Sequence, residues 1–484
     1  PEPVLEGVSQ VMLFGKPSYA VARNKALVIA PNPDSAKLLA KEGPGIDTKL
    51  KPGEKKTMAD LDVIAWIDAT TGMKIFQPMI DEFMGAFTAA AGAEEGSLQA
   101  IQAEQMTRNI NMLKEGAETI NVGLSLAKSG LGLRFGVTFK PGSELAKLSS
   151  ITELSTKSLL VGLPQENYIL AGGIIMTAQQ AAEAIKQYEH YLGAKEIVDA
   201  IGKEKADKLA EDAKECYAMM RGGSFSIVSL PPGPEGLIGL SIVCKVADAV
   251  QWKDRMQTMI EEIKNIETEN AEVSSLLRAI IYKAGADTTG DVSVDHLSLD
   301  LSAMEDVDPE DLEQITKVLG KDGLLLRVAA VSDKHVVMAF GGGQSRMSEL
   351  VAHAKAAKAP LSTDAGISRV ADNLPKGKTY EYYLAVDRIL GLVKNIGEAV
   401  GEDTVPFTMA EVNAPIAMAG SGDKTYAYAD VFFPMELIVA VKETAMQAMG
   451  MMMGGGAQPG AGQPSDDVDD DLMGDEEEEE EPGE

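Results

Sequence analysis

The sequence contains little cysteine and little histidine, and each scarcity argues against a class of site. The 484 residues include two cysteines, Cys216 and Cys244, which are too few for a disulfide-stapled scaffold and wrongly spaced for a zinc knuckle. Cys244 lies in the apolar segment LSIVCKV, which predicts a buried thiol. A bridge between the two cysteines requires an oxidising compartment, and the sequence leaves that alternative open. The four histidines are scattered and no HExxH motif occurs, so no catalytic zinc site is predicted: His190, His296, His335 and His353.

Basic residues are scarce as well. Lys and Arg together number 44 against 74 Asp and Glu, and the formal net charge is -30. Residues 466–484 hold thirteen of the carboxylates and no base, which leaves about -17 for the rest of the chain. Binding to nucleic acid or to an anionic membrane surface needs clustered Lys and Arg, so we expect neither as a partner.

Long hydrophobic runs and reactive motifs are also absent. No run of about 18 apolar residues occurs, so no membrane-spanning helix is predicted. The segments PKGKT (375–379) and GSGDKT (420–425) lack the spacing or the helix that a phosphate loop needs, and we interpret both as turns. No GxSxG motif occurs, and chance pairs among so many acids give no basis for assigning an acid–base pair. The sequence therefore predicts no catalytic residue, no cofactor-binding residue and no cofactor.

The C-terminal segment combines glycine, proline and acidic residues. Residues 451–484 have too little apolar content to form a core, which predicts a disordered tail. Four of its carboxylates match part of a calcium loop: Asp467, Asp469, Asp471 and Glu478. Leu472 stands where such a loop needs glycine, and no flanking helices are indicated. We expect only weak binding of divalent cations here, with simple solvation of the like charges as the alternative.

Against these absences stands an internal repeat. The segments VARNKALVIA (21–30) and AVSDKHVVMA (330–339) align without a gap. In each, apolar residues flank a polar triplet, and an Asn or Asp at its centre tolerates the backbone conformation of a tight turn. We therefore predict two matched hairpins, each followed by a helix.

Two further blocks recur in the same order. VIAWID (63–68) and YYLAVD (382–387) read as strands that end in aspartate before an amphipathic helix, so Asp68 and Asp387 are predicted to be helix N-caps. Strand pairs that end at VTFKP (137–141) and VFFP (431–434) again precede helices. Three blocks in one order predict an ancient duplication.

The predicted fold class is α+β: an internally duplicated chain whose antiparallel sheets, built from strand-strand-helix units, are backed by helices. We divide it into 1–150, a first repeat; 151–221, a strand-strand-helix unit with a charged helix; 222–450, a second and more complete repeat; and the tail. The chain begins Pro-Glu-Pro without a leader, which suggests a removed signal peptide or a fragment. We expect the first repeat to have lost an opening strand-strand-helix unit upstream of Pro1.

Three segments carry a resemblance to known sequences: LPKGKTYEYYLAVDRIL (374–390), GKPSYAVAR (15–23) and SLPPGPEGLIGL (229–240). With them, the chain resembles uncharacterised exported repeat proteins of planctomycete-type bacteria, which are related to a bacterial domain family of unknown function. The resemblance implies repeated α+β domains and export to the periplasm, with a cytoplasmic location as the alternative. It implies no functional residue.

The absence of a reactive constellation favours a non-catalytic binding or scaffolding protein. We expect its ligand or partner to be a protein, a peptide or a lipid-like molecule. Two alternatives stay open. A hydrolase-type enzyme with a dispersed site would show converging carboxylates in a deep pocket, whereas a carrier of apolar molecules would show an apolar cavity between sheet and helices.

Overall fold

A computed structural model describes residues 3–5, 8–13, 16–23, 26–30, 32–40, 48, 50–91, 96–149, 153–303, 309–401 and 409–453. The predicted tail, with its four candidate cation ligands, lies outside these residues. The N-terminal strands form a four-stranded antiparallel sheet in sequence order: β1 Pro3–Leu5, β2 Val8–Leu13, β3 Lys16–Arg23 and β4 Ala26–Ala30. Helix α1 (Pro33–Ala40) follows, and Ala36 packs with Val8, Val21 and Ala30 in a small core.

The next part of the chain alternates helices with long strands. Its elements are α2 Pro52–Met58, β5 Val63–Asp68, α3 Ala69–Ala91, α4 Leu98–Gly116, β6 Ala117–Ala127, β7 Gly130–Phe139, α5 Glu144–Leu148, β8 Tyr168–Ile175, α6 Ala178–Leu192, α7 Lys195–Ile201 and α8 Lys203–Met219. They continue with β9 Met220–Ser229, β10 Ile238–Val246, α9 Ala249–Lys264, α10 Ala271–Ala279, β11 Ile280–Thr289, β12 Val292–Leu299 and α11 Pro309–Leu319. The last are β13 Leu325–Ser332, β14 His335–Phe340, α12 Gly343–Lys355, α13 Ala365–Ala371, β15 Tyr380–Leu384, α14 Val386–Val400, β16 Ile416–Gly422, β17 Tyr426–Pro434 and α15 Met435–Met453.

Strands β5 to β17 form one antiparallel sheet of thirteen strands. Their order is β11-β12-β13-β14-β10-β9-β8-β15-β16-β17-β7-β6-β5. The α+β class with antiparallel sheets is therefore confirmed. All three segments predicted from the sequence (1–150, 151–221 and 222–450) contribute strands to this sheet. Strand β8 pairs with both β9 and β15, and β7 pairs with β17, so the segments are joined by strand pairing.

Both predicted hairpins are present. Arg23 pairs with Ala26 at the end of β3–β4, and Ser332 pairs with His335 at the end of β13–β14. Their surroundings differ: β14 also pairs with β10 in the large sheet, whereas β4 is an edge of the small one. The strand triplets β5-β6-β7 and β15-β16-β17, in contrast, are next to each other in the large sheet. They run across it in opposite order, so that β7 pairs with β17. The duplication itself stays a prediction.

Helices cover the large sheet on both faces. Alternate residues of a strand point to opposite sides, so neighbouring residues of one strand pack against different helices. Val243 of β10 packs with Met347 and Leu350 of α12, whereas its neighbour Cys244 packs with Trp252 and Met256 of α9. The second of these faces, beneath α9, holds the candidate site.

Candidate functional site

A pocket lined almost entirely by hydrocarbon side chains lies between α9 and strands β10 to β14. Its volume is about 370 Å³. One row of directly opposed residues crosses four adjacent strands in its floor: Leu240 of β10, Phe340 of β14, Leu326 of β13 and Leu297 of β12. The other lining residues are Ile260, Ile263, Ile280, Ser298, Leu299 and Leu324. We call this cavity the α9 pocket.

The spacing of apolar residues on α9 explains how this pocket forms. Trp252, Met256, Ile260 and Ile263 follow one another at intervals of three or four residues, which places them on one side of the helix. Trp252, Met256 and Ile260 are packed into the core, and Ile260 and Ile263 line the pocket. The same helix face therefore runs from closed core into open cavity.

A buried ion pair lies beside the pocket. Asp295 stands two residues before Leu297 on β12 and is 0% exposed. It accepts hydrogen bonds from Lys253 Nζ at 2.8 Å, from the Tyr282 hydroxyl at 2.5 Å and from the Gly285 backbone N–H at 2.8 Å. Lys253 lies on α9 three residues before Met256, so this cluster also fixes the helix to the sheet.

The electrostatics of the cluster favour the charged form of Asp295. Burial alone would raise its pKa, but the hydrogen bonds from Gly285, Lys253 and Tyr282 outweigh burial and lower the pKa from the ordinary 3.8. Burial and the bond to Asp295 raise the pKa of Tyr282. Both groups keep their usual charge near neutral pH and are engaged with one another, so neither is poised to transfer a proton to a ligand.

The two predicted helix caps differ in the structure. Asp68 precedes α3, and its Oδ1 accepts hydrogen bonds from the Thr71 backbone N–H at 2.9 Å and from the Thr71 hydroxyl at 3.1 Å, which lower its pKa. The prediction for Asp387 is wrong. Helix α14 begins at Val386 with Ala385 at the N-cap position, and Asp387 lies inside the first turn.

Asp387 has a different structural role. Its Oδ2 accepts hydrogen bonds from the backbone N–H groups of Val412 and Asn413, at 2.9 and 3.3 Å. The carboxylate thereby ties the segment that precedes β16 to the start of α14. Neither Asp68 nor Asp387 lines the α9 pocket.

Among the described residues, no group of three or more His, Cys, Asp or Glu side chains is placed to hold a metal ion. None of the helices in this part of the chain is long and apolar enough to cross a bilayer.

Both cysteines are buried free thiols in the core beneath α9. Burial, with the neighbouring Asp212 and Glu215 carboxylates, raises the pKa of Cys216 to about 11. Burial raises the pKa of Cys244 to about 12. Cys216 and Cys244 are therefore two separate thiols, and no bridge joins them.

We expect both thiols to be unreactive in the folded chain. At pH 8 almost none of either group is thiolate, and burial blocks access of a reagent. Ellman's reagent should therefore release little colour from the native chain and the equivalent of two thiols in urea. Rapid reaction of the native chain, or no reaction in urea before reduction, would contradict the assignment.

Comparison with known proteins does not assign this chain to a family. No family model and no curated protein matches the chain. Among solved structures, crystal form III of TP0453 matches 60% of this chain and 86% of its own, with 7% identity and a TM-score of 0.26. Crystal form IV of TP0453 matches 60% of this chain and 97% of its own, with 8% identity and a TM-score of 0.25. Scores this low give no basis for assigning fold or function.

Proposed function

We propose that this chain is a non-catalytic binding protein whose ligand is a small, uncharged, apolar molecule held in the α9 pocket. The observation that carries the proposal is the lining: nine hydrocarbon side chains and Ser298 around about 370 Å³. Ligand pockets in proteins typically span about 300–1,000 Å³. Transfer of an apolar molecule from water into such a cavity is favourable without any charged contact.

The structure favours a carrier over an enzyme. Asp295, two residues before the pocket residue Leu297, accepts three hydrogen bonds, one of them from its ion-pair partner Lys253. A hydrolase would need an acid, a base or a nucleophile free to meet a substrate. The lining contributes one hydroxyl, that of Ser298, and no titratable side chain.

The proposal also includes the cellular location of the protein and the group of proteins to which it is related. We propose an exported, periplasmic protein related to the planctomycete-type repeat proteins, and this part is supported by the sequence resemblance. Fractionation of cells that express the full-length gene tests it: the protein should leave with the periplasmic fraction, and recovery with the cytoplasm would contradict it.

The substitution Ile263→Trp tests the pocket. Ile263 is only partly buried at the pocket wall, so an indole can occupy the cavity without rebuilding the core. The neutral probe N-phenyl-1-naphthylamine should bind the unmodified chain saturably and with enhanced fluorescence. We expect Ile263→Trp to weaken its affinity at least tenfold, which corresponds to about 1.4 kcal/mol.

A control on the same helix separates pocket binding from surface binding. Val250 is 58% exposed and does not line the pocket, so Val250→Trp adds the same side chain to α9 without filling the cavity. The control is needed because other apolar side chains, such as Ile438 and Val439 on α15, are also exposed. Equal affinities for the two variants would refute the pocket as the binding site.

A further inference from the structure

A second cavity, on another part of the large sheet, differs in chemistry from the α9 pocket. It has a volume of about 680 Å³. Its walls are the segment 153–161, the adjoining ends of β8, β9, β10 and β14, and the segment that follows α12. Four basic side chains line it: Lys157, Arg221, Lys245 and His335. We call it the basic groove.

The strand register brings these basic groups together. Lys245 of β10 is directly opposite His335 of β14, and on its other side it is opposite Gly222, the residue after Arg221. Arg221 Nη1 donates to the carbonyl oxygens of Ala218 and Met220, at 2.8 and 2.7 Å, which holds the guanidinium at the end of α8. The basic set therefore depends on β-sheet pairing, with Lys157 added from the facing segment.

The basic groove is positively charged, whereas the chain as a whole is negatively charged. Acids outnumber bases 74 to 44 in the sequence, yet Glu153 is the single carboxylate residue in the groove lining. Among the described residues, no carboxylate forms an ion pair with Lys157, Arg221 or Lys245, although other bases such as Lys253 and Arg134 are paired. Unpaired like charges held close together are destabilising, so a site that keeps them is suited to an anion.

We propose that the basic groove binds a small free oxyanion with at least two negative charges, of the phosphate-ester type. A guanidinium presents paired donors that match phosphate oxygens, and the two lysines add mobile positive charge. Hydroxyl groups of Thr156 and Ser362 also line the groove and can donate to the same oxygens. This inference does not depend on the function proposed for the α9 pocket.

Binding of pyrophosphate, followed by calorimetry on the full chain, tests the proposal. Lys157 and Lys245 are exposed, so the double variant Lys157→Gln, Lys245→Gln should keep the fold. We expect it to bind pyrophosphate at least tenfold more weakly than the unmodified chain. The matched control Lys74→Gln, Lys442→Gln removes two exposed charges from α3 and α15 and should leave the affinity unchanged.

His335 provides a local reporter that needs no substitution. Burial, with the nearby Lys245 ammonium, lowers the pKa of His335 from the ordinary 6.5. A bound oxyanion would favour the imidazolium and move the His335 ring resonances, while those of His190 and His353 stay in place. Absence of saturable binding, an equal loss in the control variant, or shifts that bypass His335 would each overturn the proposal.

Discussion

Replacing Glu381 by alanine should lower the free energy of unfolding by about 3–5 kcal/mol, because it leaves a buried charge without its partner. Glu381 is 0% exposed on β15. It accepts from the Ser158 hydroxyl at 2.6 Å, the Leu159 N–H at 2.5 Å, the Tyr383 hydroxyl at 2.9 Å and the buried Lys378 ammonium. Its loss would remove the side-chain hydrogen bonds that attach Ser158 and Leu159 to β15.

Urea unfolding measures this effect, and an exposed ion pair serves as the control. Glu398 is paired with Lys394 across one turn of α14 at 3.7 Å, and both side chains are more than half exposed. Glu398→Ala should cost about 0.5 kcal/mol or less. If Glu381→Ala cost no more than this control, Glu381 would not be the anchor that the structure indicates.

Replacing Asp295 by alanine should have a similar cost, about 3–5 kcal/mol at neutral pH. The change removes the acceptor of the Lys253 ammonium, whose side chain is 18% exposed, and of the Tyr282 hydroxyl. Because these contacts attach α9 to β11 and β12, the α9 pocket should lose its shape together with stability. Asp291 on the adjoining turn is 85% exposed and paired with Lys355, so Asp291→Ala is the control and should change stability little.

The contribution of Asp295 should also depend on pH. The folded chain holds its carboxylate proton less tightly than the unfolded chain, because the folded pKa lies below 3.8. The stabilisation is therefore complete above about pH 3.8 and disappears as the pH falls through the folded value. The difference in urea midpoint between the parent and Asp295→Asn should therefore be constant above about pH 4 and shrink as the pH is lowered below 3.8. A difference that does not shrink as the folded chain is acidified below pH 3.8 would contradict the charged state of Asp295.

Local features of the fold were predictable from the sequence. The hairpin at 330–339 follows from apolar residues on both sides of a polar triplet, and the strand at 63–68 follows from a short apolar run that ends in aspartate. Both signals depend only on near neighbours. The insertion of β8 between β9 and β15 depends on contacts between residues hundreds of positions apart. No local pattern indicates that Glu381 would meet Ser158.

The errors and omissions have physical reasons. Asp387 resembles an N-cap in sequence, but the N-cap position of α14 is Ala385, two residues earlier, and the carboxylate instead accepts hydrogen bonds from the backbone of Val412 and Asn413. The apolar spacing on α9 signals a face turned inward. Whether that face meets a filled core or a cavity depends on the side chains opposite, which only the folded sheet brings together.

Methyl NMR of the full chain with isotopically labelled isoleucines tests the proposed pocket most directly. Titration with N-phenyl-1-naphthylamine should move the methyl resonances of Ile260, Ile263 and Ile280, which line the α9 pocket, in one saturable step. The methyl resonances of Ile75, 64% exposed on α3, should not move with them. Unmoved pocket methyls together with shifts at exposed isoleucines would contradict the account.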